Sequence, residues 1–238
     1  MSTRYGKSPG GYLWAIIEPL GAIVVLGLGF SLLLRTPALG TSFILFFATG
    51  YLPFDLYQGV NTSVSKSLMF SRPLLAYPTV TWVDAVLARF ILNAATGIVV
   101  FVIVVASVLT FTDSRSVLDI GEIVQAMCLA LFLGLGVGVL NCALMGLFPV
   151  WENVWSIITR PLFFASGLFY LYEDMPSVVQ DILYFNPLLH IVGIMRDGFY
   201  STYSPQYIST MYVLSCGLVS LFFGVLLLYR YNRDIINN

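Results

Sequence analysis

The 238-residue chain is 58% hydrophobic and 10% charged, and its 11 Lys+Arg against 12 Asp+Glu leave a net charge of −1. A soluble domain carries about 25% charged residues, so a mean hydropathy of +0.89 points into a membrane, and the charge balance excludes a basic nucleic-acid binder. Cys128, Cys142 and Cys216 are odd in number and far apart and His190 is the single histidine, which excludes a disulfide framework, a CxxC pair and a His-rich metal site.

The chain opens on Gly6-Lys7-Ser8, the ending of a phosphate-binding loop. Such a loop needs another glycine five residues earlier, a strand ahead and a helix behind. Met1 holds that position and no βαβ pattern surrounds it, so the triplet is not a nucleotide site. Arg4 and Lys7 instead offer cations to anionic headgroups, each contributing on the order of 1 kcal/mol. Tyr12 and Trp14 follow at the interface, with Gly10-Gly11 as flexible backbone. The apolar run behind them is too long for a signal-peptide core and no A-x-A site follows it.

A helix crosses the hydrocarbon with roughly 20 apolar residues, and six segments qualify: about 15–34, 41–61, 83–111, 122–147, 153–172 and 207–229. The expected fold is all-α and integral to the membrane, one domain over 1–238, with an N-terminal interfacial segment. With both termini cytoplasmic, Arg4, Lys7, Lys66, Arg72, Arg89, Arg160, Arg230 and Arg233 gather at the inner side, against Arg35, Arg115 and Arg196 outside. Trp14, Trp82, Trp151 and Trp155 fall at the inner boundary as anchors. Gly134 and Gly138 in the fourth span make a G-x-x-x-G, with Gly136 between them, for close packing within the chain.

Two connections exceed simple turns. The inner one, "TSVSKSLMFSRPLLAYPTVT" (Thr62 to Thr81), groups Val64, Leu68 and Met69 at helical spacing, with Pro73 and Pro78 as punctuation. It reads as a cytoplasmic helix along the membrane or as a plain interfacial loop. The outer one, Glu173 to Gln206, is too apolar for a solvent loop and too short in each half to span. Asp174 is expected to cap a first short helix with Pro176 in its opening turn, Asn186-Pro187 to break it, and a second to run from about Leu188 to Phe199. Two re-entrant helices over 176–199 are the expectation.

These residues carry a resemblance. "GYLWAIIEP" (Gly11 to Pro19), "RPLFFASGLFYLYEDMP" (Arg160 to Pro176) and "NPLLHIVGIMR" (Asn186 to Arg196) are similar to segments of ABC-2 type exporter permeases, membrane subunits of polysaccharide export. The capsular polysaccharide branch of Gram-negative bacteria is the most similar. That family ordinarily carries a longer amphipathic segment ahead of the first signature, where this chain has Met1 to Thr3.

The resemblance implies a permease subunit with no catalytic residues and no cofactor of its own. A separate nucleotide-binding ATPase subunit would bind ATP and Mg. A second copy of the chain would complete the passage, membrane lipids would surround it, and periplasmic and outer-membrane polysaccharide export proteins would extend it. The location implied is the bacterial inner membrane, and the cargo an anionic, lipid-linked capsular polysaccharide. Lys66, Leu68, Phe70, Arg72, Leu75 and Tyr77 would form the coupling helix; binding to a lipid surface explains the same pattern. Glycans slide on aromatic faces, so Phe169, Tyr170, Tyr172, Tyr184 and Tyr200 are candidates for the path; outer-leaflet anchoring accounts for them equally. Glu18 and Arg89 are placed where a lipid-linked substrate would enter, or in ion pairs such as Glu18 with Arg160 or Asp55 with Arg89. Arg196 would meet acidic sugars, or pair with Asp181 or Asp197. His190 completes the path set, as a packed polar residue or a proton switch. Competing readings are export of O-antigen, teichoic acid or a hydrophobic drug, and a membrane enzyme acting on lipid-linked sugars. That enzyme would need clustered acids or metal ligands, where this sequence scatters single carboxylates.

Overall fold

The computed structural model describes residues 13–77, 79–112 and 118–237, of which 236 and 237 are described by their backbone alone. Arg4, Lys7, Tyr12, Pro78 and Arg115 therefore lie outside the described residues. All regular structure within them is helical: α1 (Leu13–Leu33), α2 (Phe43–Ser65), α3 (Ser67–Leu75), α4 (Trp82–Phe111), α5 (Ile120–Leu147), α6 (Trp151–Ala165), α7 (Ser177–Tyr184), α8 (Pro187–Phe199) and α9 (Thr210–Asn237), with a 3-10 turn at Tyr172–Asp174. Among the described residues, α1, α4, α5 and α9 are long and apolar enough to cross a membrane, four in all, or five if α7 and α8 count as one bent span.

α2 has the length, at 23 residues, but carries Asp55, Gln58 and Asn61. It packs against α1, α4, α5 and α8, so these polar groups turn toward protein and escape the cost of facing lipid. The expected crossing at 153–172 is not one continuous helix. α6 ends at Ala165 after 15 residues, a rise of only about 22 Å against the roughly 30 Å of hydrocarbon. Gly167 then adopts φ +78, a left-handed conformation glycine takes without strain, and turns the chain toward the 3-10 turn.

Local chemistry sets the other boundaries. Thr81 and Asp84 form a reciprocal capping box at the start of α4. Asp119 accepts from the Gly121 and Glu122 amides to open α5. The expected cap at Asp174 is also corrected: Asp174 closes the 3-10 turn, and Pro176 precedes α7 without a side-chain cap. Asn186 accepts from the Leu188 amide at 3.0 Å with Pro187 at the first turn of α8. α7 and α8 meet at 101°.

α5 is the spine, and its glycines set its distances. A Cβ on Gly134 would stand 2.9 Å from the Tyr57 carbonyl oxygen of α2, and one on Gly138 2.9 Å from the Val64 Cβ. On the opposite face Gly136 abuts the Gly217 carbonyl of α9. Small residues let helices approach closely where lipid offers no hydrophobic drive to associate. Phe47, Leu133, Leu188, Ile191, Met195 and Phe199 are buried where α2, α5 and α8 converge.

Candidate functional site

α6 differs from every other long helix: none of its residues is buried. Between it and α2 lies a cavity of about 570 Å³. α2 contributes Gln58, Asn61, Thr62 and Ser65 beside Phe54, and Lys66 follows as its C-cap; α6 contributes Glu152, Trp155, Ser156, Thr159 and Arg160 beside Phe163 and Phe164. The Gln58 Oε1 and Trp155 Nε1 atoms are buried without a hydrogen-bond partner, which leaves an acceptor and a donor with bonding capacity unspent. Aromatic faces, amides and hydroxyls around one space, with the cations Lys66 and Arg160 and the Glu152 carboxylate, are the chemistry that holds a sugar by stacking and hydrogen bonds.

The first turn of α6 is fastened by polar links. Lys66 Nζ lies 2.6 Å from Glu152 Oε1. One turn away on α2, Asn61 Oδ1 accepts from Asn141 Nδ2 at 3.2 Å, and Asn141 Oδ1 accepts from Trp151 Nε1 at 2.9 Å. At its other end α6 is held by rings: Phe163 meets Phe54 at 5.1 Å and Phe169 at 5.6 Å between centroids.

The residues expected for coupling divide by face. Leu68 is buried and Leu75 packs on the same apolar cluster as α5 and α9. Phe70, Arg72 and Tyr77 are exposed, along with Met69 and Leu74. Arg72 also donates to the Ile235 carbonyl of α9 at 3.3 Å. Lys66, expected to reach a partner, is engaged within the chain by Glu152.

The expected path residues do not form one site, and none of them lines the cavity. Glu18 is exposed on α1, and Trp14 on the same helix is half-exposed. Arg89 lies over the Phe70 ring at 5.1 Å, linking α4 to α3. Phe169 packs among Phe30, Phe47 and Phe164. Tyr172 stacks on Tyr207 at 4.2 Å, and Tyr203 donates to the Glu173 carboxylate at 3.2 and 3.1 Å. Tyr184 sits 5.0 Å from the His190 ring. Tyr200 is buried beside Gly40.

His190 is fully buried and bonded on both ring nitrogens, Nε2 to the Tyr184 carbonyl at 2.9 Å and Nδ1 from the Ser209 amide at 3.2 Å. Those partners fix one neutral tautomer, so its geometry is that of a packing residue. Arg196 does not pair with Asp181 or Asp197; among the described residues the one ion pair is Lys66–Glu152. Its buried guanidinium donates to the Tyr170 carbonyl at 2.9 Å and the Leu168 carbonyl at 3.0 Å, and lies 4.3 Å over the Phe46 ring. Gln58, Asn141, Glu152 and Thr159 escaped the sequence reading. The signal was present: Glu152, Ser156, Thr159 and Phe163 recur at three- and four-residue spacing, one face of a helix.

The sequence profile of a family described as "ABC-2 type transporter" matches residues 1–200. A "Polysialic acid transport protein KpsM" of Escherichia coli is 29% identical over 98% of this chain and 90% of its own length. The "Capsule polysaccharide export inner-membrane protein CtrC" of Neisseria meningitidis is 24% identical over 98% of this chain and 88% of its own. The "O-antigen export system permease protein RfbA" of Klebsiella pneumoniae is 23% identical over 89% of this chain and 82% of its own.

Proposed function

The chain belongs to the ABC-2 type transporter family, and from that premise we propose that it is the inner-membrane permease of a capsular polysaccharide exporter. Its cargo would be an anionic, lipid-linked glycan, moved as a separate ATPase subunit binds and hydrolyses ATP with Mg. The observation that carries this reading is the sugar-compatible cavity along α6, in a chain similar to capsule export proteins over 98% of its length. Two copies facing each other across α6 would convert two such half-sites into one passage, which explains an amphipathic helix with no buried residue.

In this arrangement α1, α2, α4, α5, α6 with its 3-10 extension, and α9 make six crossings, and α7–α8 dips back into the outer leaflet. Both termini are cytoplasmic, and the exposed Met69, Phe70, Arg72 and Tyr77 of α3 and its C-terminal turn seat in the ATPase. Periplasmic and outer-membrane export proteins continue the route. An O-antigen cargo is the second reading, favoured by the similarity to an O-antigen permease.

The test is complementation. In a capsule-producing strain lacking its export permease, this chain expressed with its own ATPase should restore surface polysaccharide. No restoration with both chains present in the membrane, or restoration without any ATPase, would overturn the reading. Thiol labelling of single cysteines at Tyr77 and Val178 from either side of the membrane would check the orientation.

A further inference from the structure

Lys66 occupies an unusual position in the chain. It is at once the C-terminal cap of α2 and the residue before α3, with φ −98 and ψ 9, outside helical geometry. It is therefore the elbow between the helix that walls the cavity and the helix whose Met69 and Phe70 are exposed. Its ammonium reaches 86 residues along the sequence to Glu152, in the first turn of α6. Both residues line the 570 Å³ cavity and also a second one of about 250 Å³ beneath α3. The ion pair is thus the shared wall of two spaces, and it joins the elbow to a helix with no fully buried residue.

We infer that Lys66–Glu152 is a latch through which displacement of α3 is passed to α6, opening and closing the cavity. This rests on the permease reading above. The pair is 31% and 53% exposed at its two side chains. Pairs this exposed are weak, so the latch breaks and re-forms within a cycle and does not hold the fold together. Glu152 also sits at a helix N-terminus, where a carboxylate is favoured without a partner, so the open state leaves no stranded charge. The ring contacts of Phe163 with Phe54 and Phe169 provide the pivot at the far end of α6. Asn141, bonded to Asn61 and Trp151, limits the travel.

The experiment uses the full complex of permease and ATPase in cells and after purification. Lys66→Glu and Glu152→Lys should each lower export at least about fivefold with the permease present in the membrane and its ATPase retained on purification. The double exchange, Lys66→Glu with Glu152→Lys, should recover at least half of the parent's export. Single variants that export like the parent overturn the latch, as does a double exchange no better than the singles. If the reversed charges prevent insertion, a Lys66→Cys/Glu152→Cys pair in a background lacking Cys128, Cys142 and Cys216 decides the matter. Bridging it with a short thiol reagent should stop export and reduction should restore it; undiminished export by bridged protein overturns the latch. A parent complex that exports without its ATPase refutes the permease reading itself, before any variant is compared.

Discussion

Arg196→Met tests whether the most deeply buried cation among the described residues braces the fold. Its guanidinium holds the Leu168 and Tyr170 carbonyls at 3.0 and 2.9 Å and covers the Phe46 ring. These carbonyls belong to the stretch after Gly167, where the chain has left helical geometry and has no ladder to satisfy them. Hydrogen bonds from a charged donor are worth about 1.5–3 kcal/mol each, and a desolvated cation over a ring about 2 kcal/mol. Dehydrating the guanidinium returns several kcal/mol of that. The balance predicts a net loss of about 2–4 kcal/mol, or a fall of about 5–15 °C in the apparent unfolding midpoint of the solubilised complex. Arg196→Lys keeps the charge but not the planar fork, so it should recover less than half of the loss. Fluorescence-detected size exclusion after stepwise heating reads both. An unmoved midpoint for Arg196→Met, or a lysine variant equal to the parent, would refute the brace.

Three further outcomes follow from the packing. Gly136→Ala should cost about 1–3 kcal/mol, because its Cβ meets the Gly217 carbonyl, which is backbone and cannot swing away; the same heating assay measures it. Asn141→Leu removes two interhelical hydrogen bonds, each averaging about 0.6 kcal/mol in a membrane, so its loss should be smaller than that of Gly136→Ala. A reversed order would fault the account of α5. Tyr203 is buried beside Tyr207 and Glu173, which raises its phenol far above the ordinary range. The unfolded chain releases that proton near pH 10 while the folded one keeps it, so stability should fall as pH rises beyond about 10. Tyr203→Phe should flatten that decline, and an unchanged slope would sink the attribution.

The parts of the fold legible in the sequence were those decided locally. Asn186-Pro187 announces a helix boundary by its own chemistry. The end of α6 was hidden because hydropathy runs on without a break through "LFFASGLFY", and the stop at Gly167 is a matter of backbone conformation alone. The site was less legible still. Sequence identifies Arg196 as expensive to leave in lipid, but not that it turns to two carbonyls 26 and 28 residues away. The aromatic residues expected along the path pack on other rings, Tyr172 on Tyr207 and Phe169 on Phe163, and none of Phe169, Tyr170, Tyr172, Tyr184 and Tyr200 walls the cavity. Composition registers an abundance of rings. Only three-dimensional placement separates a ring that packs from one that lines a space.

The contrast between α5 and α6 gives the transport reading its mechanical form. α2, α5 and α9 approach at glycines, where a single methyl would collide with backbone, and close-packed contacts of this kind transmit displacement without yielding. α6 has no such contacts. It is held by rings at one end and by Lys66, Glu152 and Asn141 at the other. A push on α3 therefore meets a rigid spine through Leu68 and a yielding helix through Lys66. The motion goes where the resistance is least, into the cavity between α2 and α6, and Gln58, Glu152 and Thr159, which sequence reading passed over, border it.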